Sequence, residues 1–141
     1  MKYVCDAPDG KTWFRIETPA EATVESDVMR HAVEKFFRQE WEKAAQSYHP
    51  PSRSFIEQNI GLNAHVQRAM PMFLTLRDAE GNALATAMLP PQGRDDRGFR
   101  TIIVGAGNDD PYPEHAGAIR ALAQHLGIAL ERERCYPYRR A

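Results

Sequence analysis

Apolar residues recur in adjacent pairs every four positions through the first third of the chain: Val28/Met29, Ala32/Val33 and Phe36/Phe37, then Trp41, Ala44/Ala45 and Tyr48. Polar residues keep the same spacing, with Arg30, Glu34, Arg38 and Glu42 alternating in sign at i,i+4. That arrangement predicts one long amphipathic helix from about 19 to 48 with a solvated, charge-laddered face. Thr18-Pro19-Ala20-Glu21 is a capping box with proline at the first helical position, and His49-Pro50-Pro51 ends the helix. A strict four-residue repeat overshoots the 3.6-residue turn, so the apolar stripe winds and meets different partners at its two ends. Phe37 and Trp41, at the aromatic end, are the candidate interface residues.

Elsewhere the period changes. Lys2 to Cys5 and Thr12 to Thr18 read as strands joined by the turn Ala7-Pro8-Asp9-Gly10. Ser54-Phe55-Ile56-Glu57 is a second capping box, which starts a short helix to about Ile60 before Gly61 interrupts it. From Leu62 to Arg68 the apolar positions alternate, and a strand is slightly favoured over a helix. Met72 to Arg77 and Ala83 to Leu89 form a hairpin around Asp78–Asn82, and residues 90–98 form an exposed loop. Phe99 to Val104 is apolar on both faces, the pattern of an inner strand. Asp110 and Pro111 start a helix over about 111–126 with the stripe His115, Ile119, Leu122 and Leu126, and Gly127 stops it. Ile128 to Cys135 reads as a charged edge strand, parallel to Phe99–Val104 if the two share a sheet.

The expected product is a single α+β domain spanning 1–141. It has a mixed, mainly antiparallel sheet of five to six strands, packed against the long helix and the C-terminal helix. A chain of 141 residues buries a core without metal or disulfide support. A formal charge of −1, with 26% charged residues, gives no net field toward nucleic acid or an anionic membrane. The two cysteines, Cys5 and Cys135, show no metal-ligand spacing and are read as reduced thiols. No signal-peptide pattern or membrane-length apolar run occurs, so a cytoplasmic location is expected.

Chemistry has one suggestive context, the strand-to-helix segment Gly105-Ala106-Gly107-Asn108-Asp109-Asp110, where ligands favour α/β sheets. Its first two glycines are similar to those of a dinucleotide fingerprint. Asp110 replaces the third, however, and paired carboxylates repel a pyrophosphate, so no cofactor is expected. Gly105, Gly107, Asn108, Asp109 and His115 are the candidate ligand-binding residues, and Asp109, Glu114 and His115 are candidate metal ligands. His49, His65 and Glu57 form an acid/base set only if the fold joins them. His31 and His125 lie on or beside polar faces and receive no role.

Arg94, Arg97 and Arg100, and Arg132, Arg134, Arg139 and Arg140 with Tyr136 and Tyr138, are interrupted by acids, which disfavours nucleic acid. Trp13, Phe14 and Trp41 look surplus to one small core. The leading reading is a binding or accessory protein that pairs with itself or with a protein partner. A metal-assisted hydrolase or small-ligand enzyme at Gly105–His115 is the alternative, and nucleic-acid binding through the arginine-rich loop and C-terminus is a weaker third.

Overall fold

In the computed structural model, which describes residues 1–49 and 55–138, nine regular elements follow one another along the chain. They are β1 (Lys2–Ala7), β2 (Lys11–Arg15), α1 (Pro19–Met29), α2 (Val33–Gln46), α3 (Phe55–Ala69), β3 (Met72–Arg77), β4 (Ala83–Leu89), β5 (Ile102–Val104) and α4 (Tyr112–Leu126). The strands lie in the order β1-β2-β3-β4-β5, every neighbouring pair antiparallel. The first hairpin turns through Asp9 at φ 63° and Gly10 at φ 71°. Two consecutive left-handed residues suit the twist of the flanking strands, and aspartate and glycine tolerate them.

The sheet separates two cores. Trp13, Leu74, Leu76, Ala85, Ala87 and Ile103 pack with Ala118, Ile119 and Leu122 of α4 on one face. Ile16 and Phe73 pack with Ala22, Val33, Phe37, Ala44 and Val66 of α1, α2 and α3 on the other. Of the aromatics that look surplus to one core, Trp13 and Trp41 serve one each, and Phe14 packs edge-on against Tyr3. Trp13 is fully buried and its indole N–H donates to the Ala118 carbonyl at 2.8 Å, while Trp41 packs half-buried against the opposite core.

Several expectations are corrected by this arrangement. The predicted helix over 19–48 is two helices, because the chain turns at Arg30, which adopts the left-handed conformation with φ 54°. α2 then folds back along α1: the Ser26 hydroxyl accepts from the Glu34 N–H at 2.8 Å, and Arg38 donates to Thr23 at 3.2 Å. The charge ladder is shortened accordingly. Glu34 and Arg38 pair at 2.9 Å, while Arg30 caps α1 and stands outside the ladder. The capping box at Thr18 is present as expected, with both reciprocal bonds and Pro19 in the first turn.

The segment 62–68 is helical, not a strand, and α3 runs through Gly61. Glycine occupies that position because the Tyr48 ring lies against it. A Cβ there would overlap the Tyr48 hydroxyl and sit 3.1 Å from Cζ. Ser54 of the second capping box lies outside the described residues.

β5 is an edge strand, not an inner one. It is apolar on both faces because helices cover both sides of the sheet. Residues 128–135 form an irregular segment with a 3₁₀ turn at Arg132–Arg134, and the expected parallel pairing survives as one bridge between Ile102 and Tyr136. At the other edge, a bulge between Tyr3 and Cys5 and the exposed Lys2 and Asp6 discourage pairing of β1 with another chain. No helix among the described residues is long and apolar enough to cross a membrane.

Two effects compete at Gly61. Alanine is favoured in a helix by about 1 kcal/mol over glycine, but its methyl must displace the Tyr48 ring from its place 5.2 Å from His65. Gly61→Ala is therefore expected to be more favourable in a Tyr48→Ala background than in the parent, by about 1 kcal/mol in urea unfolding. Equal effects in the two backgrounds would show that Tyr48 does not hold the glycine.

Candidate functional site

A carboxylate with no access to water stands at the centre of the helical face. Glu25 follows Ala22 by three positions and precedes Met29 by four, so it points inward with them, and it is fully buried. Arg77, at the end of β3, donates to one carboxylate oxygen at 2.7 Å, and the Thr86 hydroxyl, on β4, donates to the other at 2.6 Å. Arg77 is held in place by the Thr75 hydroxyl at 3.1 Å and the Gly81 carbonyl at 3.0 Å.

The hydrogen-bond inventory then sets the state of His31, in the α1–α2 turn. A threonine hydroxyl has one proton, and Thr86 spends it on Glu25. The 2.8 Å contact between Thr86 Oγ1 and His31 Nε2 must therefore be donated by the imidazole. Nδ1 is left as a lone pair, which accepts from the Val33 N–H at 3.4 Å. Burial pushes the His31 pKa below its ordinary value, in keeping with this neutral ring.

His31 also forms part of the wall of a half-open cleft of about 180 Å³ between the α1–α2 turn and the β4–β5 edge. Val33, Phe36, Phe73, Met88, Ile102 and Val104 supply an apolar lining, with Thr86 and Asn108 as the other polar contributors. A shallower hollow outside it shares His31, Ala32 and Asn108 and is bordered by Asp27, Arg30, Glu34 and Lys35. Larger hollows occur between α4 and the segment after it, about 290 Å³, and beside Asp95, Asp96 and Arg134, about 280 Å³. The smaller cleft is the better candidate on chemistry, since an apolar wall converges there with a histidine held in a defined tautomer.

The sequence-predicted segment is divided by the fold. Gly105 donates its N–H to the Asp109 carbonyl at 2.7 Å, and Gly107 and Asn108 adopt left-handed conformations, so the loop closes on itself. Asn108 reaches the cleft. Asp109 is exposed, and Asp110 is not the cap expected of it: Pro111 holds the N-cap position without a side-chain bond, and Asp110, one residue earlier, accepts from the Tyr112 N–H at 3.0 Å. His115 lies on α4, which packs on the opposite face of the sheet, and its Nδ1 is 3.1 Å from Lys11 Nζ. Its pKa is also lowered, by burial and by the Lys11 charge.

Asp109, Glu114 and His115 do not converge as a ligand set: among the described residues no group of three or more His, Cys, Asp or Glu is placed to hold a metal. His65, on α3, is bound to Ser47 at 2.8 Å, while His115 lies across the sheet beside Lys11, so these two do not share a cleft; the Glu57 side chain lies outside the described residues. Cys5 and Cys135 are both free and buried in the α4-side core.

The candidate interface is corrected as well. Phe37 is fully buried against Phe73, with ring centroids 5.1 Å apart, and its neighbour Phe36 is the exposed one. Two of the C-terminal and loop arginines cover aromatic rings of their own chain. Arg100 lies 4.6 Å over Tyr136, and Arg132 lies 4.1 Å over Tyr138 while pairing with Asp110 at 2.9 Å. Sequence reasoning missed Glu25, Thr86, Arg77 and His31. The available signal was a glutamate at the buried spacing between Ala22 and Met29.

Glu25→Ala leaves Arg77, with a side chain only 16% exposed, facing an apolar gap; the expected loss is about 3 kcal/mol. The paired change Glu25→Leu with Arg77→Met is expected to cost less than Glu25→Ala in urea unfolding, and a larger loss for the pair would deny the ion pair its role. Acidification tests the histidines. His31 and His115 both have lowered values in the fold, so the unfolded chain takes up protons first. Stability is expected to be full above the ordinary histidine value and to fall as the pH drops below it, before the carboxylates titrate. His31→Gln should reduce that slope, and a flat profile between about pH 7 and 5 would contradict the neutral-ring assignment.

Comparison with protein-family models, with curated proteins and with solved structures gives no match for this chain.

Proposed function

We propose that the protein is a binding module that holds one apolar group in the cleft between the α1–α2 turn and β5. One observation carries the reading: an apolar cleft is kept open beside a polar chain whose charges are satisfied from within. Glu25 is neutralised by Arg77 and occupied by Thr86, and Thr86 is occupied by His31. The cleft wall thus presents no unpaired buried charge, and an apolar occupant enters without stripping water from one. At about 180 Å³ the space suits a single ring or one large side chain; ordinary drug-sized ligands need more.

A second reading, in which that group belongs to a protein partner or a second copy of the chain, is favoured by Phe36. It lines the cleft and is 43% exposed. The candidate interface then moves from Phe37 to Phe36, with Trp41 half-buried against the helical-side core.

Val104 is buried on the cleft side of β5. Val104→Phe is expected to fill the space and abolish saturable amide shifts of Met88 and Val33 during titration with toluene, with the fold retained by circular dichroism. Unchanged titration in that variant would remove the cleft as the binding site. Under the second reading, Phe36→Ser lowers the mass seen by light scattering, and a monomeric parent protein excludes self-association.

A further inference from the structure

We infer that the cleft takes a neutral, single-ring ligand carrying one hydrogen-bond donor, of the phenol class, with its hydroxyl donated to His31 Nδ1. The inference rests on the cleft reading above and adds the chemistry of the occupant.

Three observations lead to it. The chain from Arg77 through Glu25 and Thr86 to His31 puts an imidazole proton on Nε2, and the Val33 N–H aimed at Nδ1 leaves that nitrogen the acceptor of a neutral ring. Its one donor among the described residues is the Val33 N–H at 3.4 Å. That distance is at the long end for such a bond, so Nδ1 retains capacity for a closer donor. Val33 and His31 both line the cleft, and a ligand hydroxyl there supplies the better donor.

Neutrality follows from the charges. Behind the cleft wall the carboxylate of Glu25 is already paired with Arg77, and among the described residues no lysine or arginine contributes to the lining. A ligand carboxylate would lose its water without gaining a counter-charge. Size follows from the volume of about 180 Å³; a dry apolar cavity of about 150 Å³ accommodates benzene.

Titration of the ¹⁵N-labelled protein with phenol, toluene and benzoate at pH 7.5, read by amide and imidazole nitrogen shifts, tests each part. Phenol is expected to bind about five- to tenfold more tightly than toluene, the worth of one hydrogen bond. Benzoate is expected to be at least about tenfold weaker than phenol. The Nδ1 resonance of His31 should move with phenol and stay fixed with toluene. His31→Phe should equalise phenol and toluene; should that variant not fold, the Nδ1 resonance of the parent reports the same contact.

The failures are separable. If none of the three probes binds, the cleft reading falls and the inference with it. If toluene equals phenol and Nδ1 does not move, the cleft stands and the hydrogen bond is overturned. Benzoate as the tightest probe overturns neutrality.

Discussion

The carboxylate of Glu25 is the constraint around which the helical half of the protein is arranged. An ionised carboxyl group without water is costly by several kcal/mol unless its oxygens are occupied by donors, preferably charged ones. Arg77 and Thr86 meet that need from two adjacent strands. Satisfying Glu25 therefore fixes where α1 sits over the β3–β4 hairpin. Because Thr86 must turn its proton toward Glu25, it can only accept from His31, so the same requirement reaches the α1–α2 turn and sets its tautomer. One buried charge thus orders two strands, one helix and a turn that contains no regular structure of its own.

That turn matters because it lets two helices replace one. A straight helix over 19–48 would have carried its winding stripe away from the sheet. With the chain reversed at Arg30, α1 buries Ala22, Glu25 and Met29, and α2 buries Val33, Phe37 and Ala44. In the pairs Val28/Met29, Ala32/Val33 and Phe36/Phe37 the second member goes inward and the first stays out. Met29 and Phe37 are buried, whereas Val28 and Phe36 are exposed. The cleft is the residue of this geometry, the space left where the turn stands off from the short β5.

The opposite face has a simpler logic. α4 covers Trp13 and the alternate residues of β2 to β5 with an apolar stripe, and the C-terminal segment is drawn across β5 through Tyr136. The aromatic rings of that segment are covered by Arg100 and Arg132. Such stacking is worth about 0.5–1 kcal/mol at exposed sites. The arginine and tyrosine content that attracts attention in the linear chain is, at these positions, part of the clasp.

Local chemistry determined what each stretch of this chain could become. The capping box at Thr18, the turn at Asp9-Gly10, the hairpin of β3 and β4 around Asp78–Asn82, and the stop at Gly127 depend on neighbours within a few residues, so they could be read directly; the α+β class follows from their order. What could not be read were choices made by distant atoms. Gly61 has the signature of a helix stop, and only the Tyr48 ring makes it a helical contact point. Residues 105–115 look like one site, yet the sheet separates Asn108 on the cleft side from His115 beside Lys11. Glu25, Thr86 and His31 show no motif because they lie 55 or 61 positions apart or on either side of a turn. Their meeting was decided by tertiary structure, since a buried charge selects its partners by position in space and leaves no spacing rule along the chain.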